Sequence, residues 1–265
     1  MGQRRIMHYG IKIKWNTVTC FEMQFGDTAV VSDPCITDSE GTDADWTAVE
    51  KCDIVTVSHI HWDHITDLPA LTKKFSPKVL VGELSAFPLL KWMDYNPSSV
   101  YPMTPDLELD FGDVKIRSLF GKHVDQFKTY SELMEAFRKN PLLQKDKELS
   151  GLQLLGSTEY RNYLFTAKNG AKVLLWGNNP RIEQQQMLAK LRPDIAIVQF
   201  TKHTPDEMAD FVSAIGAKTV IPHHMDLHFR EEEYLPKAEA FRDAFLKKVP
   251  DGRFIIPKHG EWMDL

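Results

Sequence analysis

Asp53 to Ser58 (DIVTVS) is a short apolar, β-branched run, and the chain continues directly as His59-Ile60-His61-Trp62-Asp63-His64. The run predicts a buried strand, and Asp67 to Phe75 behind it predicts a short helix. Three of the ten histidines therefore crowd into six residues at a strand-to-helix junction. A chain carrying this feature has to fold so that a strand end opens onto a polar pocket. On an extended chain His59 and His61 point to the same side, and a turn into the helix brings Asp63 and His64 round to face them. Imidazole nitrogen and carboxylate oxygen are ordinary donors to divalent ions, so the spacing predicts two neighbouring metal pockets. A surface loop that happens to be rich in histidine is the plainer alternative.

The pattern on either side of this junction differs. Upstream, Ile6 to Trp15, Thr17 to Phe25 and Thr28 to Ser32 read as strands, separated by the turn signals Gly26-Asp27 and Asp33-Pro34. Between Thr129 and Phe137 the apolar spacing becomes helical, with Thr129 and Glu132 placed as a capping box. Strand character returns at Tyr160 to Ala167, and Asn169-Gly170 leads as a hairpin turn into the strand Ala171 to Gly177. Helix and strand then alternate: Ile182 to Leu191, Asp194 to Phe200, Pro205 to Ile215, Lys218 to Pro222, a helix near Tyr234 to Lys248 and a strand Arg253 to Pro257. Thr204, Pro205 and Glu207 make a well-marked helix start, and Gly216 marks its end. A β-rich half followed by an alternating half predicts two sheets with helices outside. With no internal repeat and no flexible linker, residues 1–265 read as a single domain.

With 43% hydrophobic residues in 265 there is enough apolar material for a sizeable core. Thirty-two basic against 37 acidic side chains leave a net charge of -5, which argues against a nucleic-acid partner. No apolar run approaches a bilayer span or the core of a signal peptide, so neither membrane nor secretion is expected. Cys20, Cys35 and Cys52 form no paired motif and read as small buried hydrophobes. A reducing cytoplasm fits that usage.

The His59 to His64 segment resembles the HxHxDH signature of the metallo-β-lactamase fold. That resemblance implies an α+β architecture, an αββα sandwich of two mixed β-sheets with helices on both outer faces. It also implies a third metal histidine at His123 in Gly121-Lys122-His123, and a bridging position at the end of Leu174 to Asn178. A last histidine is implied after Val220-Ile221-Pro222, where His223 and His224 share one ligand position and the spacing after Pro222 favours His224. The intervals of 59 residues from His64 to His123, 55 to Asn178 and 46 to His224 suit compact members. Phe21-Glu22, Val31-Ser32-Asp33-Pro34 and Pro257-Lys258-His259-Gly260-Glu261 resemble the branch containing L-ascorbate-6-phosphate lactonase.

On this resemblance His59, His61 and His123 make one site, and Asp63, His64 and His224 a second, holding Zn²⁺ or Mn²⁺/Fe²⁺. Asp63 is the group to orient an attacking water and handle its proton. The bridging position carries Asn178 where the family has aspartate. An amide lacks the negative charge that holds two cations together. One ion per chain, two ions with a weak second site, and an engineered substitution all fit. Asp33 is a candidate acceptor for a ligand imidazole N–H, and equally a turn former before proline. Lys202 and His203 precede a helix start where an anionic substrate group is favoured, although a solvated loop explains them equally. Trp62 either walls the cleft or packs. His8, His228 and His259 belong to no motif and read as structural or surface. The insert Val124 to Glu159 reads as a lid or an extra outer helix.

The resulting expectation is a cytoplasmic, homo-oligomeric hydrolase that directs a metal-bound hydroxide at a small anionic ester, lactone or phosphodiester. A nuclease of the same fold is disfavoured by the charge, and a catalytically weakened binding or regulatory protein rests on Asn178 alone.

Overall fold

A computed structural model describes residues 8–39, 42–123, 130–139, 147–177, 182–200, 203–227 and 229–265. Fourteen strands among these form two seven-stranded sheets. The first takes β1 (Ile11–Thr17), β2 (Cys20–Phe25), β3 (Thr28–Ser32), β4 (Ile54–Val57), β5 (Lys78–Gly82), β6 (Val100–Met103) and β14 (Trp262–Asp264), in the order β14-β1-β2-β3-β4-β5-β6. The second takes β7 (Glu108–Asp110), β8 (Val114–Gly121), β9 (Tyr160–Ala167), β10 (Lys172–Trp176), β11 (Ile195–Gln199), β12 (Thr219–His223) and β13 (Arg253–Phe254), in the order β13-β12-β11-β10-β9-β8-β7. Each sheet is antiparallel on one side and parallel from β3 to β6 or from β10 to β13.

The strands have two buried faces, and the period of two divides their side chains between two cores. Val30, Ile54 and Leu80 point into the core shared with the second sheet, where Trp15, Phe21, Tyr163, Phe165 and Trp176 are packed. Their neighbours Val31, Val55, Val79 and Val81 point the other way, under α1 (Trp62–Ile65), α2 (Leu68–Phe75), α3 (Glu83–Met93) and the later helix α5 (Lys147–Gly156). The remaining helices are α4 (Tyr130–Lys139), α6 (Ile182–Leu191), α7 (Pro205–Ala214) and α8 (Glu231–Lys248). Met208, Phe211 and Val212 of α7 and Phe241 and Phe245 of α8 belong to the shared core. The layers are therefore helix, sheet, sheet, helix, as the metallo-β-lactamase resemblance implies.

Local patterning and structure differ in places with a physical reason. The first strand begins at Ile11, because Gly10 turns the chain at φ +69°. Helix α3 has no sequence expectation, since Pro88 lies inside it as a breaker. It is anchored instead by Glu159, which accepts from the backbone N–H groups of Leu84 (3.2 Å) and Ser85 (2.8 Å) at its start. Helix α7 forms where Thr204 and Glu207 predict it, with the reciprocal capping box intact. The closing strand shrinks to Arg253–Phe254, and Trp262–Asp264, which carries no strong pattern, pairs with β1.

Candidate metal centre

The strand β4 stops at Val57, and Ser58 is seized by Asp33, whose carboxylate accepts from the Ser58 backbone N–H (2.6 Å) and hydroxyl (2.7 Å). Asp33 holds a left-handed conformation (φ +39°) at the end of β3 and is fully buried. The loop then runs through His59 and Ile60 to His61, an extended residue at the start of α1, so that Asp63 and His64 fall on the first turn of that helix. Chain direction thus delivers four polar side chains to the carboxyl ends of parallel strands, where α/β sheets open their crevices.

Two groups of donors result. One atom each from His59, His61 and His123 lie within 4.8 Å of one another, and the same holds for Asp63, His64 and His224. The imidazoles of His59 and His64, one from each group, have ring centroids 4.0 Å apart, so the pockets adjoin. Hydrogen bonds around each ring decide which nitrogen faces the pocket. His59 Nδ1 is 3.0 Å from Ser58 Oγ, and its Nε2 is buried with no hydrogen-bond partner among the described residues. His61 Nε2 is 3.0 Å from Ser157 Oγ, which leaves Nδ1 for the pocket. His64 Nδ1 is 2.9 Å from Asp33 Oδ2, which turns Nε2 toward Asp63.

These residues fit a divalent ion. An unpartnered nitrogen in a buried site costs free energy that coordination removes. In the second pocket Asp63 Oδ2 stands 3.5 Å from both His64 Nε2 and His224 Nε2. Donors of a tetrahedral site with bonds of about 2.1 Å are separated by about 3.4 Å.

His223 is buried with its ring bound elsewhere, Nε2 3.0 Å from the Trp176 carbonyl and Nδ1 3.4 Å from Thr19 Oγ1. Of the two adjacent histidines, His224 is the one that joins the cluster. His203 is half-buried at the start of α7, beside Glu207 and Lys237, and belongs to neither group. Asn178 and Lys202 lie outside the described residues, as do 124–129 and 140–146 of the insert. The later part of that insert is built into the fold: Leu149 and Leu152 are buried in the helix-covered core, and Gln153 Oε1 accepts from the Trp62 backbone N–H at 2.8 Å.

Several groups around the site have no signal in the local sequence. Tyr160, at the start of β9, lays its ring 4.7 Å from that of His59. A Cβ on Gly177 would stand 1.9 Å from its hydroxyl, which explains a glycine at the end of β10. Ser157 reaches His61 from 96 residues away. Only the topology brings them in.

Burial pushes the pKa of His59 and His61 well below the ordinary value, and the neighbouring histidines add to it. Both are therefore neutral ligands in waiting. Burial alone would raise Asp63, but His64, His224 and His61 outweigh it and hold the carboxyl below the usual range. Burial opposes charge on His64 too, yet Asp63 and Asp33 prevail and raise its pKa. His223 falls to about 3, through burial and then His224.

These shifts have a consequence for stability without metal. His59, His61 and His223 resist protonation when folded, whereas the unfolded chain takes up protons below about pH 6.5, so their contribution is lost as pH falls through that value. The raised His64 acts in the opposite sense, its contribution present below about pH 6.5 and lost as pH rises through its folded pKa. The lowered histidines, His203 among them, outnumber the raised His64 and Asp226 and make the melting temperature of the metal-free protein fall between about pH 7 and pH 5. Thermal melts in chelator check this, and a flat or rising profile contradicts it.

A sandwich of this layering, with its donors gathered at the strand ends behind an HxHxDH loop, defines a metallo-β-lactamase-fold protein. Residues 12–224 match the family described as Beta-lactamase superfamily domain, and the chain belongs to that superfamily. A UPF0173 metal-dependent hydrolase of Cupriavidus necator is 24% identical over 257 residues, covering 90% of this chain and 80% of that protein. Among solved structures, a metallo hydrolase from the archaeon Ignicoccus hospitalis superposes with a TM-score of 0.66 at 14% identity, over 96% of this chain and 97% of the other. An isothiocyanate hydrolase from Delia radicum gut bacteria gives 0.65 at 16% identity, over 96% and 99%. At such identities the structures share the fold alone.

Proposed function

We propose that the chain is a metal-dependent hydrolase acting on a small, anionic ester, lactone or phosphodiester. The observation that carries this reading is the pair of adjoining donor groups with Asp63 at one edge. A divalent ion held there would supply Lewis acidity toward water and toward a carbonyl or phosphoryl oxygen. His59, His61 and His123 would hold one ion, and Asp63, His64 and His224 would hold a second. Asp63, kept ionised by its histidine neighbours, orients the attacking water and takes its proton. Asp33 and Ser58 hold the His59 and His64 rings, and Tyr160 lays its ring against that of His59. The relatives named metal-dependent hydrolases support the reaction class. Zn²⁺ is the ion we favour over Mn²⁺ or Fe²⁺, given the excess of imidazole donors.

The substrate class rests on the lactonase-branch resemblance and on Lys202 and His203 ahead of α7. We further propose one domain, a homo-oligomer and a cytoplasmic setting. No helix among the described residues is long and apolar enough to cross a membrane. The insert 124–159 shapes substrate choice, its end touching His61 through Ser157.

Elemental analysis of protein purified without added metal, joined to assays on aryl esters, lactones and aryl phosphodiesters, tests the proposal. Bound metal with turnover on one class supports it, and protein that neither retains nor takes up divalent ions contradicts it. Asn178 favours a second reading, a weakened binding protein. Asn178→Asp separates the two: the hydrolase reading expects metal content to rise toward two ions per chain and turnover to increase, since a carboxylate offsets cation repulsion. Unchanged stoichiometry and rate remove Asn178 from the bridging role.

A further inference from the structure

Two elements remote from the histidine motif converge behind His224. The first is the two-residue turn between β1 and β2. The Val18 carbonyl accepts from the His224 backbone N–H (2.9 Å), and the Val18 N–H donates to both carboxylate oxygens of Asp226 (3.0 and 3.1 Å). One residue is thus gripped from both sides by the limb carrying the ligand. The second element is the segment after β13. His259 Nε2 lies 3.3 Å from Asp226 Oδ2, its ring stands edge-on to Trp15 at 4.2 Å, and the Gly260 N–H donates to the Trp15 carbonyl at 2.8 Å. Trp15 closes the circuit, its indole N–H donating to the Val18 carbonyl at 3.2 Å.

The backbone explains why such a grip is needed. Val18 (φ +42°) and His224 (φ +59°) both hold left-handed conformations, which are unfavourable for residues with a Cβ and worst for a β-branched one. Left free, each would relax toward an extended or right-handed form and carry the His224 ring away from Asp63. Asp226 is completely buried, so its carboxylate is committed to these contacts.

We propose that Asp226, held by His259, is a positioning residue that locks His224 in the Asp63–His64–His224 pocket, so that the segment after β13 sets the ion affinity of that pocket. The inference rests on the reading of those three residues as an ion site.

The test uses the full chain stripped of metal and titrated with Co²⁺, followed by visible absorption and by competition with a chelator. His259→Ala removes the ring that stands against Asp226 and Trp15, and circular dichroism checks that the variant folds. It is expected to weaken one class of Co²⁺ site roughly tenfold to a hundredfold, to alter the absorption of that class, and to leave the other class unchanged. Asp226→Asn should do the same, and His259→Gln, which places a polar N–H of similar reach beside Asp226, should recover most of the affinity. In a His224→Ala background His259→Ala should cost nothing further. Wild-type affinities in His259→Ala, equal weakening of both classes, or an added loss on top of His224→Ala would each overturn the brace. Full Co²⁺ binding in His224→Ala alone would overturn the pocket itself, which keeps the two failures apart.

Discussion

Protein in which His59 and His61 are both replaced by alanine is expected to fold, to bind no ion in the first pocket and to lose hydrolysis by more than about a hundredfold, since changing the partners of metal ligands alone costs up to that much. Folding should survive because the loop is held from both sides by groups the substitutions leave in place. Ile60 and Ile65 remain in the helix-covered core, and Asp33 still grips Ser58. The variant should also lose less stability on acidification, because two buried imidazoles that resist charging are gone. Circular dichroism, elemental analysis and melts across pH check the three parts separately. Retention of both metal and activity would remove the site as drawn.

The second large effect comes from a position that carries no donor. Gly156 ends α5 so close to the histidine loop that an added Cβ would lie 2.6 Å from His61 Cδ2 and 2.9 Å from both the His61 nitrogen and the Ile60 carbonyl carbon. Two of those atoms are backbone and cannot step aside without moving the loop. Gly156→Ala is therefore expected to cost about 1–3 kcal/mol of stability through overpacking. It should also weaken the first pocket, by tilting His61 away from Ser157. Gly151 lies in the same helix with open space around it. There the same substitution should stabilise by about 0.5–1 kcal/mol, as helix propensity alone dictates. Denaturant melts of the two single variants, with metal titration of each, decide the matter. Equal effects at the two glycines would mean that α5 does not abut the loop. The contrast also bears on the insert, whose part from Lys147 onward packs beside the histidine loop.

The electrostatics of the two pockets divide their labour. The first is all imidazole, and burial keeps His59 and His61 neutral and ready to coordinate without first shedding protons. The second contains the one carboxylate of the cluster, with its charge offset by histidines on two sides. Asp63 has His64 and His224 as immediate neighbours, and Asp33 stands behind His64.

The amino-acid sequence by itself determined the layering and the donors whose spacing is local. Alternation in β3, β4 and β5 already sends Val30, Ile54 and Leu80 one way and Val31, Val55 and Val79 the other, because a strand's side chains change face at every residue. Within His59 to His64 the separation is too short for the chain to do anything but gather its donors at one strand end. The tertiary structure decided what lies farther apart. The spacing after Pro222 favours His224, but only the tertiary structure shows where the other ring goes, with Trp176 and Thr19 occupying His223. Ser157 beside His61, Tyr160 beside His59 and His259 behind Asp226 follow from sheet order and helix docking, and no periodicity of 2 or 3.6 residues encodes them. Helix α3 makes the same point within the fold. A proline inside it argues for a break, and the buried Glu159 from another element supplies the acceptors that let it start. A motif reports the atoms a site uses, whereas the contacts that aim those atoms are made across the chain.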